Sequence, residues 1–184
     1  MGGGVSIGDI NNDELPDIFL TANQESNRLY LNKGNFKFED ITESSGISGA
    51  IGIKSWSTGT TMVDINHDGF LDIYVSMIHG YKGLEGKNKL YINQGNNTFV
   101  ESATKYGLDI KTYAHQAAFF DYDIDGDLDM FLVNQAMNTP LSYRSGKIRE
   151  KRDNMAGDLL FKNEGGKFID VSEEAGIYLS LIHI

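Results

Sequence analysis

The stretch Asp121-Tyr122-Asp123-Ile124-Asp125-Gly126-Asp127-Leu128-Asp129 leaves few options for the chain around it. Acidic residues stand at loop positions 1, 3, 5 and 9, and glycine stands at position 6. Carboxylates crowded in this way repel one another unless a cation neutralises them. Alternate spacing turns Asp121, Asp123 and Asp125 toward one centre. Gly126 permits the sharp turn that brings the chain back, because it has no Cβ to clash at positive φ. The backbone carbonyl of Asp127 adds a donor, and Asp129 closes the cage. An all-oxygen cage suits Ca²⁺, which takes about six to eight oxygens at about 2.3–2.6 Å.

The loop recurs. Asp64, Asn66, Asp68, Gly69, the Phe70 carbonyl and Asp72 repeat the pattern, with asparagine at position 3. Asp9, Asn11, Asp13, the Leu15 carbonyl and Asp17 form a further copy, in which Glu14 replaces the glycine. A solvated acidic loop has no reason to keep one spacing through three copies. Ca²⁺ at up to three sites is therefore expected, with loop 1 weakest because Glu14 must either take a left-handed conformation or distort the turn.

An EF-hand would need glutamate at position 12 and a helix on each side. Position 12 is Leu20, Val75 and Leu132, and the flanks are short β-branched and aromatic runs such as Asp72-Ile73-Tyr74-Val75. Those runs read as strands, so each cage belongs to a strand–loop–strand hairpin.

Each unit continues in the same way. Leu29-Tyr30-Leu31-Asn32-Lys33-Gly34, Leu90-Tyr91-Ile92-Asn93-Gln94-Gly95 and Leu160-Phe161-Lys162-Asn163-Glu164-Gly165 read as a strand and a turn. A fourth strand follows at 36–41, 98–102 and 167–171, and each unit ends in a glycine–apolar pair, Gly46-Ile47, Gly107-Leu108 and Gly176-Ile177. Gly4, Gly59 and Gln116 align ahead of the loops, as do Trp56 and Tyr113. Four short strands per unit, repeated, predict an all-β chain of β-propeller blades. The units are 1–49, 50–109 and 110–178, the last carrying an insertion at 134–158 with a basic centre (Arg144, Lys147, Arg149, Lys151, Arg152). The insertion reads as a solvated loop or as an anion or glycan contact. The apolar run 179–184 fits no repeat position and reads as a non-native tail. Propellers close with about four to eight blades, so three units predict an incomplete ring. Its bare outer faces are expected to carry Ile7, Phe19 and Leu31 at one end and Phe119, Phe131 and Phe161 at the other, with Trp56 in the core.

Composition narrows the function. Net charge is −10, which three bound divalent cations would reduce to −4. Nucleic acid is a poor partner for such a surface, since phosphate contacts need lysine and arginine. There is no cysteine, hence no disulfide and no thiolate metal site. No apolar run approaches the roughly 18–20 residues of a membrane span. No nucleophile elbow, zinc motif or phosphate loop is present, and His67, His79, His115 and His183 are scattered, so no enzyme chemistry is expected. His67 is expected to face solvent and His115 to pack near a blade edge.

These units resemble FG-GAP/VCBS repeats, as in integrin α-subunit propellers. They are more similar to the bacterial cartilage acidic protein-like family, in which such repeats precede an ASPIC/UnbV domain. The three Asp-rich loops, the Leu-Tyr-x-Asn-x-Gly turns, the strand Phe38-Glu39-Asp40-Ile41-Thr42 with its counterpart at Phe168-Ile169-Asp170-Val171-Ser172, and the terminal Gly-Ile pairs carry the likeness over residues 2–178. The resemblance implies Ca²⁺ on the side chains named above and an extracellular, cell-surface or periplasmic setting. It implies a binding, adhesion or structural module with a protein or glycan ligand, completed by further blades of a parent chain. The alternative is a non-catalytic segment of a larger exported enzyme, such as a polysaccharide-degrading one. The chain departs from the pattern at Glu14 and in lacking the ASPIC/UnbV region.

Overall fold

The computed structural model describes residues 3–23, 25–47, 54–135 and 153–177. The basic centre of the unit-3 insertion, from Arg144 to Arg152, and the 179–184 tail lie outside the described residues. Among the described residues, twelve strands form three separate four-stranded sheets. Blade 1 holds β1 (Val5–Gly8), β2 (Asp17–Leu20), β3 (Arg28–Asn32) and β4 (Phe38–Asp40). Blade 2 holds β5 (Ser57–Val63), β6 (Asp72–Met77), β7 (Lys89–Asn93) and β8 (Phe99–Glu101), and blade 3 holds β9 (Ala114–Phe120), β10 (Asp129–Asn134), β11 (Leu159–Asn163) and β12 (Phe168–Asp170). Neighbours in sequence pair antiparallel in every sheet, so each is a simple meander. These are the blades of a β-propeller, present as an incomplete set.

Burial follows the stacking of the blades. All of β6 is buried, because blade 2 is covered on both faces. In β2, burial instead falls on Asp17 and Phe19, the alternation of a sheet covered on one face. One apolar core lies between blades 1 and 2, where Phe19, Leu29, Leu31 and Ile47 meet Ile73, Val75, Tyr91 and Phe99. A second lies between blades 2 and 3, where Tyr74, Leu90, Ile92 and Leu108 meet Met130, Leu132, Phe161 and Phe168. Phe119 packs edge-on against both Tyr74 and Phe168, with centroids 5.6 and 6.3 Å away.

The expected outer faces need correction. Phe19 and Leu31 lie inside the first core, while Phe161 lies in the second with Phe119 packed against it. Register explains this. Ile7 pairs with Ile18, whereas Phe19 pairs with Ser6 and Leu29, so Ile7 and Phe19 point to opposite sides of the sheet. The uncovered face of blade 1 exposes Val5 and Ile7, at 58% and 64%. Trp56 is half-buried, and its Nε1 has no hydrogen-bond partner among the described residues.

Innermost strands approach one another closely. A Cβ on Gly59 would come within 2.3 Å of the His115 carbonyl oxygen. Thr58 Oγ1 donates to the Ala114 carbonyl at 2.8 Å and Thr61 Oγ1 to that of Ala117 at 2.7 Å, stitching β5 to β9. At the outer edge, each unit ends in a helical turn whose glycine is left-handed: Gly46 at φ 78°, Gly107 at 77° and Gly176 at 71°. The turn also bonds the next blade, where Phe99 N–H donates to the Ser45 carbonyl at 2.8 Å.

Gly46 and Gly107 thus serve two needs, a left-handed backbone and room for the neighbouring blade. A Cβ on Gly107 would meet the Phe168 carbonyl oxygen at 2.9 Å, and one on Gly176 would meet nothing within 4 Å. Gly176→Ala should therefore cost only the left-handed backbone strain, about 1 kcal/mol, and Gly107→Ala about 2–3 kcal/mol. Urea unfolding of the two variants checks the order; equal losses would contradict the interblade role of Gly107.

Candidate metal-binding loops

The hairpin loops β1–β2, β5–β6 and β9–β10 share one internal wiring. The position-1 carboxylate accepts backbone N–H groups from positions 5 and 6. Asp9 takes Asp13 at 3.2 Å and Glu14 at 2.7 Å; Asp64 takes Asp68 at 3.1 Å and Gly69 at 2.9 Å; Asp121 takes Asp125 at 3.2 Å and Gly126 at 3.1 Å. The position-5 carboxylate accepts the N–H of position 7: Asp13 from Leu15 and Asp68 from Phe70, both at 2.9 Å, and Asp125 from Asp127 at 3.2 Å. These bonds hold the loop carboxylates in one arrangement.

Position 9 is the most constrained. Asp17, Asp72 and Asp129 are fully buried. One oxygen of each accepts the N–H of loop position 2, from Ile10 at 2.9 Å, Ile65 at 3.1 Å and Tyr122 at 3.1 Å. The other accepts the N–H of the asparagine closing the third strand, from Asn32 at 2.7 Å, Asn93 at 2.8 Å and Asn163 at 2.8 Å. That asparagine donates its amide to the carbonyl just before the aspartate, at Pro16, Leu71 and Leu128. Sequence reasoning marked both residues but did not join them; their recurrence at a fixed place in all three units was the available signal.

Burial pushes the Asp72 carboxyl up to about 6; the Asn93 and Ile65 N–H groups counter that rise, and Asp68 and Asp64 add repulsion. The Asp17 carboxyl is raised for the same leading reason. In loop 3, Asp121, Asp123 and Asp129 each offer a carboxylate oxygen within 4.8 Å of the other two, a spacing that could hold an ion. Asp125 is not in that group. Asp127 Oδ1 is buried without a hydrogen-bond partner among the described residues. His67 is exposed, as expected; His115 lies on β9, the edge strand of blade 3, and its side chain is exposed.

Glu14 adopts φ 67° and keeps the loop wiring intact, so the turn does not distort. The spacing did not reveal that position 4 is left-handed too, with Asn12 at φ 60°, His67 at 57° and Ile124 at 62°. Asparagine and histidine tolerate this region better than most residues, whereas a β-branched side chain there is strained. Ile124 is also 88% exposed, so packing does not repay the strain. Beside loop 2, an open cleft of about 480 Å³ is lined by Asn66, Asp68, Phe70, Asn93, Lys105 and Tyr106.

Comparison with known proteins agrees with the repeated blades. The FG-GAP-like repeat matches residues 9–75 and 80–132, more than half of the chain. Cartilage acidic protein 1 of Xenopus tropicalis is 30% identical over 158 residues, covering 83% of this chain and 23% of that protein. Cartilage acidic protein 1 of Mus musculus is 29% identical over 164 residues, covering 86% and 24%, and that of Homo sapiens is 26% identical over 164 residues, covering 86% and 23%. The chain thus spans about a quarter of the length of these curated relatives.

Two outcomes follow from the loop geometry. Because the folded chain raises the Asp72 carboxyl from 3.8 to about 6, it holds that proton more tightly than the unfolded chain does. The contribution is therefore fully present below about 3.8 and is lost as pH rises through about 6. In chelator, denaturation midpoints between pH 4.5 and 7.5 should show this fall. Asp68→Asn, which removes a like charge beside Asp72, should move the fall to lower pH. Separately, Glu14→Gly and Ile124→Asn should each stabilise the chain by about 0.5–1 kcal/mol by relieving left-handed strain. A loss of stability in either variant, read by the same unfolding assay, would show that the replaced side chain makes contacts worth more than the strain.

Proposed function

The chain belongs to the FG-GAP-like repeat family, and from that premise we propose that it is a Ca²⁺-binding propeller segment of an exported or cell-surface protein, serving as a non-catalytic binding or structural module. The observation that carries this reading is the common hydrogen-bond wiring of the three acidic loops, together with the three carboxylates gathered in loop 3. The donors fit the ion. They are all oxygens, and the loop-3 carboxylates approach one another within 4.8 Å although like charges repel. Asp127 Oδ1, buried without a donor among the described residues, marks further unused capacity there.

Asp9, Asn11, Asp13, the Leu15 carbonyl and Asp17 would hold the first ion. Asp64, Asn66, Asp68, the Phe70 carbonyl and Asp72 would hold the second, and Asp121, Asp123, Asp125, the Asp127 carbonyl and Asp129 the third. A flexible cage of this kind favours Ca²⁺ over Mg²⁺, which demands a tight octahedron filled largely by water. The acidic surface disfavours a nucleic-acid partner. Among the described residues, no helix is long and apolar enough to cross a membrane. The ligand is a protein or glycan, and an extracellular setting, where Ca²⁺ is plentiful, matches an affinity of about 10⁻⁴–10⁻³ M or somewhat tighter.

Calorimetry at millimolar Ca²⁺ should give binding heat, with a weaker response to Mg²⁺. At Ca²⁺ about a hundredfold above the Kd, each site adds about 2.7 kcal/mol of stability, so chelation should lower the Tm. Asp125→Ala removes one oxygen from loop 3 and should reduce that chelator sensitivity. No Ca²⁺ heat, or equal sensitivity in both chains, would count against a structural metal.

A further inference from the structure

Strand β11 carries a lysine where the other blades carry an aliphatic residue. Leu29-Tyr30-Leu31-Asn32 and Leu90-Tyr91-Ile92-Asn93 align with Leu160-Phe161-Lys162-Asn163. Leu31 and Ile92 are buried in the interblade cores. Lys162 reaches loop 3 instead: its Nζ stands 2.6 Å from Asp123 Oδ2 and 3.8 Å from Asp125 Oδ2.

The loops change at one donor in step with this. Position 3 is Asn11 in blade 1 and Asn66 in blade 2, but Asp123 in blade 3. In the first two blades its amide donates to the position-5 carboxylate, from Asn11 to Asp13 at 3.1 Å and from Asn66 to Asp68 at 2.9 Å. Asp123 has no amide to donate, so two carboxylates would face each other there. The Lys162 ammonium supplies from outside the loop the positive, donating group that the asparagine amide supplies from within.

We infer that Lys162 is a tethered cation that holds loop 3 in its binding shape when no metal is bound, and that a divalent cation entering the loop displaces its ammonium from Asp123. The displacement step rests on the calcium reading; the tethering step does not. Blade 3 thus keeps its loop shape without metal as blades 1 and 2 do, but through a donor outside the loop. Metal entry there also breaks an ion pair, which entry into the other two loops does not.

The test uses the 184-residue chain with Lys162→Leu, Asp123→Asn and the double variant, which reproduces blade 1's combination; Lys162→Met, which keeps the aliphatic stem, serves if Lys162→Leu does not fold. Tm is read in EDTA, and Ca²⁺ affinity by calorimetry, with Asp121→Ala identifying the loop-3 share of the heat. The lysine side chain is 30% exposed and that of Asp123 23%, so screening keeps the effect moderate. Lys162→Leu should lower Tm in EDTA by about 2–4 °C and tighten Ca²⁺ at loop 3 by about three- to tenfold. The double variant should recover the EDTA Tm. An unchanged EDTA Tm overturns the tethering. Unchanged or weaker Ca²⁺ binding at loop 3 overturns the displacement. If no chain, wild type included, binds Ca²⁺, the calcium reading and the displacement fall together, while a lowered EDTA Tm still supports the tethering.

Discussion

Each blade depends on a buried carboxylate that it has already paired. Asp17, Asp72 and Asp129 begin the second strand of their sheets and spend both oxygens on backbone N–H groups, one from the loop and one from the end of the third strand. A single side chain thereby fixes the loop's return, the start of β2, β6 or β10, and the register of the strand beside it. Burying an isolated carboxylate is costly, and two charge-assisted hydrogen bonds offset much of that cost. For Asp72 the offset is incomplete, because burial still raises its carboxyl to about 6. A cation at the loop centre would complete it.

One of these asparagines, Asn93, also ties one blade to the next. Asn93 Nδ2 donates to the Leu71 carbonyl of its own hairpin and to the Ile10 carbonyl of loop 1, at 3.1 and 2.8 Å. Asn12 Nδ2 reaches the Gly69 carbonyl of loop 2 at 3.0 Å. Loops 1 and 2 are thus linked by polar contacts above the apolar core that joins their sheets. The glycine–apolar pair makes the opposite edge of that contact, where Ile47 enters the core as its turn bonds Phe99. Interblade adhesion combines directional bonds at the rim with apolar packing between the sheets, so the blades keep a fixed stacking order and do not slide.

Much of this was legible in the sequence because the repeat displayed it three times. The loop donors, the closing aspartate, the strand–turn Leu-Tyr-x-Asn-x-Gly and the Gly–apolar ending recur with fixed spacing, and spacing encodes local geometry. What escaped reading depends on pairing between segments. Whether Ile7 and Phe19 share a face turns on a one-residue register that the loop length alone does not set. The left-handed position 4 is occupied by asparagine, histidine and isoleucine, and no glycine announces it. Lys162 reads as an unremarkable polar residue in a strand until the fold brings it 2.6 Å from Asp123.

On the calcium reading, strain and charge in loop 3 have one explanation. A β-branched residue at φ 62°, fully wet, gains nothing from packing, and crowded carboxylates gain nothing from one another. Both are unfavourable when only the free loop is considered. Both follow if the loop's shape is set by what its centre must hold, since position 4 is left-handed in all three loops whatever residue stands there. The turn and the repulsion are then two costs of one requirement, that several hard oxygens meet at a point. The blade would then supply the rigid strands that enforce it, through an aspartate bound into the sheet.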